Sequence, residues 1–137
     1  MAVNTAPGEI TVNVGSGAIT IIGTATAPII AGTITNSGII SNTVAAGIYL
    51  QGDAQSGTIL NNTGSTISGQ TYGIEATSSN IIAGITNDGT ISGGTDGIYF
   101  GGGGGTTTGI TNNTGATISG SNNGMYFTGT SSGQAGG

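Results

Sequence analysis

Four stretches of the chain repeat one another, and this repetition constrains the fold more than any single motif. They read GTITNSGIISNTVAAGIYL from Gly32, GTILNNTGSTISGQTYGIEA from Gly57, GITNDGTISGGTDGIYF from Gly84 and GITNNTGATISGSNNGMYF from Gly109. Each carries an Ile-x-Asn, a Gly, an Ile-Ser and a closing Gly-[Ile/Met]-x-[apolar]. The Ile-Ser isoleucines are Ile40, Ile67, Ile91 and Ile118, which gives spacings of 27, 24 and 27 residues. A period of this length marks a solenoid. Helical repeats would show apolar residues at a 3.6 spacing among good helix formers, whereas these units alternate Ile with Thr, Asn and Gly at period two.

The reading that follows is an all-β chain: a parallel β-helix, or β-solenoid, of about four coils, with 24 to 27 residues and three short strands per coil. Side chains alternate along a strand, so Ile98 and Phe100 of GIYF face inward and Tyr99 outward. Carried through every coil, one core column is Ile34, Ile59, Ile85 and Ile110, and a second is Ile40, Ile67, Ile91 and Ile118. The third holds Ile48, Ile74, Ile98 and Met125, with Leu50, Ala76, Phe100 and Phe127 beside them. Asn36, Asn61, Asn87 and Asn112 are expected to stack as an asparagine ladder. Gly47, Gly73, Gly97 and Gly124 are expected to turn the chain at positive φ. The outward column is Tyr49, Glu75, Tyr99 and Tyr126, whose tyrosines are a candidate contact surface for glycans.

Residues 29–128 form the solenoid in this reading. Residues 1–28 are an N-terminal strand segment, in which Ile10, Val12, Val14, Ile19 and Ile21 alternate as strand material does; it serves as a cap or as a connector between subunits. Residues 129–137 form a flexible Gly/Ser-rich tail.

The repeats ITNSGIIS, GITNDGTISG and TGATISGSNNGMYF resemble those of bacterial autotransporter passenger domains and related haemagglutinin-like surface adhesins. The resemblance covers roughly residues 29–128. It implies a right-handed β-helix and an extracellular or cell-surface setting, and it carries no catalytic residues that could be transferred. Those passengers have many more coils and end in a membrane barrel.

Composition narrows the chemistry. The 137 residues include no Lys, Arg, His or Cys and five acids, for a formal charge of −5. Nothing here neutralises phosphates, so nucleic acid and anionic membranes are not expected partners. No run of 18 apolar residues predicts a transmembrane helix, and residues 1–25 lack the basic start of a signal peptide. The acids Glu9, Asp53, Glu75, Asp88 and Asp96 fall at different frame positions, so the repeat pairs no two of them for acid–base work. No enzyme activity, cofactor or metal is expected.

Calcium would need an aspartate in successive repeats, but the frame position of Asp96 holds Ala46, Tyr72 and Asn123 elsewhere. Asp88 and Asp96 are then expected to be solvent-facing turn residues. The glycine run Gly101 to Gly105 reads as a loop, since it has neither lysine nor a following helix to hold a phosphate. Sequons at Asn61 and Asn112 coincide with the ladder.

The ends are the most suggestive feature. A coil cannot stand alone, because the core it shares with its neighbours offsets the entropy of ordering it. Solenoids and sheet edges are ordinarily guarded by polar caps, lysine or proline, and this chain has no lysine to place. The expected function is a non-enzymatic extracellular subunit that stacks end to end into a filament, scaffolding or adhesive in a surface layer or biofilm matrix. The alternatives are a monomeric adhesin module binding surface glycans and, third, an ice-binding protein using Thr35, Thr86 and Thr111, a rank that Leu60 interrupts.

Overall fold

The computed structural model describes residues 2–3, 10–12, 17–22, 30–77, 80–102, 105–128 and 135–136. Its strands form three parallel sheets, which run as three faces along one solenoid. In the first full coil, Ile34–Asn36 lies on the first face, Ile39–Asn42 on the second and Ile48–Gln51 on the third. The next coil follows with Gln55–Asn61, Thr66–Gly69 and Tyr72–Thr77. Ile81–Asn87, Thr90–Gly93 and Asp96–Gly101 make the third. Ile110–Asn112, Thr117–Gly120 and Asn123–Phe127 make the fourth.

The register is set by the isoleucines. Ile34, Ile59, Ile85 and Ile110 stand opposite one another on the first face. Ile40, Ile67, Ile91 and Ile118 do so on the second, and Ile48, Ile74, Ile98 and Met125 on the third. A one-residue slip in any strand would turn its isoleucine to water and an Asn, Thr or Ser inward, so burial locks the alignment. These isoleucines, with Leu50, Ala76 and Phe100, form one continuous core, and Ile118, Met125 and Phe127 pack against it only partly buried.

The uneven 27, 24 and 27 spacing has a local cause. From the first-face isoleucine to the second-face one is 6 residues in the first and third coils and 8 in the second and fourth. The two added residues lie in the corner after the ladder asparagine, where Gly64 and Gly115 adopt φ of 77° and 86°. That left-handed backbone is where glycine is needed for its conformation.

The segments outside the repeats enter the same frame. Ile10–Val12 pairs with Ile34–Asn36, Ile19–Ile22 with Ile48–Gln51, and Ala2–Val3 with Ile19–Thr20. The strands carrying Ile10, Val12, Ile19 and Ile21 are therefore held by their own chain, with Ile19 and Ile21 fully buried. Val14 lies outside the described residues. At the other end, Ala135–Gly136 runs parallel to Ile110–Thr111, while 129–134 and 137 lie outside the described residues.

Candidate functional site

The first corner of each coil is built around an inward-pointing asparagine. Asn36 Nδ2 donates to Asn61 Oδ1 at 2.8 Å, Asn61 Nδ2 to Asn87 Oδ1 at 2.7 Å, and Asn87 Nδ2 to Asn112 Oδ1 at 2.8 Å. The same amides reach the backbone of the following coil, donating to the carbonyls of Thr66, Thr90 and Thr117 at 2.9 to 3.0 Å. Asn36, Asn61 and Asn87 are fully buried, and a buried amide must be paired to be tolerated there. The column thus closes a corner of the core with polar groups that satisfy one another. Both sequon asparagines, Asn61 and Asn112, are committed to it, and Asn61 offers no exposed amide for a glycan.

Outside this column runs a second, exposed one. Asn62 Nδ2 donates to Ser37 Oγ at 2.8 Å and Asn113 Nδ2 to Asp88 Oδ1 at 2.7 Å. Asp88 is thereby tied to the next coil. Asp96 corrects the expectation of a solvent-facing turn: it is 3% exposed and accepts from Asn123 Nδ2 at 2.7 Å. It begins the strand Asp96–Gly101 and shares the inward parity of Ile98, so its carboxylate is held beneath the corner.

The glycines Gly47, Gly73, Gly97 and Gly124 also depart from expectation. The positive-φ glycines among the described residues are Gly52, Gly64, Gly102 and Gly115. What Gly47, Gly73 and Gly97 require is space. A Cβ on Gly73 would lie 2.6 Å from the carbonyl oxygen of Gly97, and one on Gly97 would lie 2.5 Å from that of Gly124. A Cβ on Gly47 would meet Ser68 O at 2.6 Å. Where the second face bends into the third, each coil lies against the next too closely for a side chain. At Gly124, in the last coil, the nearest atom would be Ile118 O at 2.9 Å.

On the third face the tyrosines do not assemble as one set. Tyr49 and Tyr99 stand on either side of Glu75, and the aromatic stack instead recruits Tyr72. Tyr72 and Tyr99 stack at 4.5 Å between centroids, and Tyr99 and Tyr126 at 5.9 Å. Inside, Phe100 and Phe127 stack at 5.1 Å. Burial raises the Tyr72 phenol above its ordinary range, helped by Tyr99, Glu75 and Asp96 nearby. Burial alone raises the half-buried Glu75 carboxyl. Because Tyr99 has a ring on each side, a sugar cannot lie flat on it; Tyr126, 45% exposed, is stacked on one side, and Tyr49 takes no part in the stack.

Two features escaped sequence reasoning. Asn80, buried at the third corner, accepts from the Ala54 N–H at 3.0 Å and donates to the Leu50 carbonyl; the sequence hints at it only in that NIIAG from Asn80 matches PIIAG from Pro28 with asparagine in place of the proline. On the second face, Thr66, Thr90 and Thr117 stand in one column and Ser41, Ser68, Ser92 and Ser119 in another. The first-face rank of Thr35, Thr86 and Thr111 includes Leu60 in register, and the continuous hydroxyl array lies on the second face instead.

Among the described residues no group of three Asp or Glu side chains could hold a metal ion. Gly101 ends a strand and Gly102 turns at φ 72°; Gly103, Gly104 and Glu9 lie outside the described residues. Comparison with protein-family models, with curated proteins and with solved structures finds no match to this chain.

Proposed function

We propose that the chain is a non-enzymatic structural subunit whose solenoid stacks end to end with other copies, forming an extracellular filament with a scaffolding or adhesive role at a cell surface or in a biofilm matrix. The observation that carries this reading is the partial burial of the fourth coil's core residues. Ile91, Ile98 and Phe100 are fully buried, while their register partners Ile118, Met125 and Phe127 are only partly so. Exposed apolar surface at an open strand edge is a template for pairing with another chain. The edge holds no lysine or arginine to discourage that pairing. The extracellular setting rests on the resemblance of the repeats to surface adhesins and on a surface devoid of Lys and Arg.

Negative-stain electron microscopy with sedimentation at micromolar concentration tests the reading. Fibres of solenoid width are expected. A monodisperse monomer at high concentration would sink it.

The hydroxyl array on the second face favours a second reading, ice binding. Its two columns lie about 6.6 Å apart along the strand, and successive coils about 4.8 Å apart, an uncharged lattice near the repeats of ordinary ice. Ile39, 51% exposed, ends the threonine column at the first coil. Faceting of ice crystals in a slowly frozen droplet, lost on Thr90→Lys, is the expected result; round crystals with the unaltered protein would exclude it. The stacked tyrosines weaken the glycan-binding alternative, since stacking covers the ring faces that sugars use.

A further inference from the structure

We infer that the stacked tyrosines of the third face are a site of oxidative cross-linking, at which a one-electron oxidant joins Tyr72 to Tyr99 as a dityrosine and staples the second coil to the third. Both residues belong to one chain, so the inference stands apart from end-to-end assembly.

Oxidation has few places to go on this chain. Single electrons leave a protein chiefly through Trp, Tyr, Cys and His side chains, and here there are four tyrosines and no Trp, Cys or His. The two methionines react differently, taking up an oxygen atom to become the sulfoxide. A one-electron oxidant is therefore answered by tyrosine.

Three of the four tyrosines share one stack. Tyr72 and Tyr99 lie 4.5 Å apart and 12° from parallel, Tyr99 and Tyr126 5.9 Å apart and 21° from parallel. These are ring contacts, across which an electron passes readily. Tyr126, 45% exposed, opens the stack to a reagent in solvent, and Tyr72 with Tyr99 is the closer and flatter pair. Tyr49 is kept apart, because Glu75 stands between it and Tyr99 in the register.

The fold holds the pair in place. Tyr72 begins the strand Tyr72–Thr77, and Tyr99 lies on the neighbouring Asp96–Gly101. The Tyr99 ring covers Gly101, where a Cβ would collide with its Cε1, Cζ and Oη; the glycine leaves room for the ring to lie down against the sheet. Glu75 and Asp96 lie near enough to Tyr72 to act on its phenol, and negative charge there favours loss of an electron.

Each phenol gives one electron to the oxidant and its hydroxyl proton to water, leaving two phenoxyl radicals with unpaired spin at the Cε carbons. Pairing of the spins forms one Cε–Cε bond. At that stage the joined carbons are tetrahedral and the rings still face each other, as stacked rings already do. Each joined carbon then releases its hydrogen as a proton while its carbonyl oxygen regains one, which restores both phenols. The chain loses two hydrogens overall, and hydrogen peroxide as terminal oxidant takes up those two protons and two electrons to become two waters. The product ties residue 72 to residue 99, and a link that closes such a loop stabilises chiefly by restraining the unfolded chain.

A peroxidase with hydrogen peroxide, acting on dilute protein, tests the inference. The expected results are blue dityrosine fluorescence, a chain still monomeric in denaturing electrophoresis, peptic peptides joining Tyr72 to Tyr99 at two hydrogens below their summed mass, and a raised urea midpoint. Tyr72→Phe keeps a ring in the stack without a phenol and should lose this link, while Tyr49→Phe should keep it in full. A principal link through Tyr49, one between Tyr99 and Tyr126, or cross-links only between chains would overturn the assignment. An unaltered pair in a mixture where free tyrosine couples would overturn it too. Treated after unfolding in urea, the chain should lose its preference for Tyr72 with Tyr99; a preference that survives unfolding would refute the role given to the stack.

Discussion

Truncating Asn61 to alanine should destabilise the solenoid far more than the same change at Asn112. Asn61 accepts from Asn36 and donates to Asn87 Oδ1 at 2.7 Å, to Thr90 O at 3.0 Å and to Ser65 O at 3.4 Å. After truncation, Asn36 keeps its bond to Thr66 O, and Asn87 Oδ1 still accepts from the Gly89 N–H. The loss is then two amide–amide bonds of about 0.5–1.5 kcal/mol each, plus the burial of an oxygen left without its donor at about 1–3 kcal/mol. A total of about 3 kcal/mol is a fifth or more of the stability of an ordinary domain. Asn112 loses the bond received from Asn87 and one within its own coil, in a half-exposed corner, so its truncation should cost about 1 kcal/mol. Urea unfolding followed by far-ultraviolet circular dichroism measures both. With a slope of about 1–3 kcal/mol per molar, the Asn61→Ala midpoint should fall by about 1–3 M. A fall of less than about 0.3 M, or equal losses at the two positions, would refute the claim that the column holds the coils together.

Gly97→Ala should cost about 1–3 kcal/mol through forced backbone displacement, whereas Gly84→Ala, whose nearest contact would be 3.7 Å away, should change the melting temperature little; equal effects would contradict the close-approach account. Glu75 gives a pH signature. Burial raises its carboxyl in the folded state, so the folded chain holds that proton more tightly, and the stabilisation is full in acid and lost as pH rises past the ordinary carboxylate value and through the raised one. Glu75→Gln should therefore gain stability relative to the parent on going from acid to neutral pH, as read by thermal melts across that window. Since every charged side chain on the chain is acidic, raising ionic strength should shorten the lag before fibres appear in light scattering; a longer lag would argue that copies meet through attractive charges.

Much of the fold was legible because burial and period constrain each other. Once Ile40, Ile67, Ile91 and Ile118 are aligned, alternation assigns every residue within two positions of them to a side. Legibility failed at the corners, where alternation is interrupted. Tyr72 has the parity of buried Ile74, yet it stacks over the outward Tyr99, because the bend beside Gly73 carries the ring out of the strand's alternation. Asp96 failed in the opposite way: its parity with Ile98 pointed inward, but an ionisable side chain among glycines reads as a turn on the surface. A repeated glycine at the second corner reads as a positive-φ position, because that is the commonest reason for an obligatory glycine; crowding against a backbone separated by a whole coil leaves no local trace. Asn80 was hidden similarly, its partners Leu50 and Ala54 being 30 and 26 residues away.

The scarcity of charge follows from the same geometry. In a parallel stack held in register, each surface column repeats at about 4.8 Å, and two like charges at such a distance repel by about 1 kcal/mol even in water. A charged residue placed in the repeat would suffer that repulsion at every coil. Three of the five acids stand beside neutral partners: Glu75 between Tyr49 and Tyr99, Asp88 receiving a bond from Asn113 and Asp96 from Asn123. Asn, Thr, Ser and Tyr supply the remaining columns with groups that both donate and accept, so each residue can bond the copy of itself in the next coil. A surface built on this rule treats a coil from another chain as it treats its own. The proposed end-to-end stacking would draw on that equivalence, at a coil whose columns are neutral and whose core residues Ile118, Met125 and Phe127 are only partly buried.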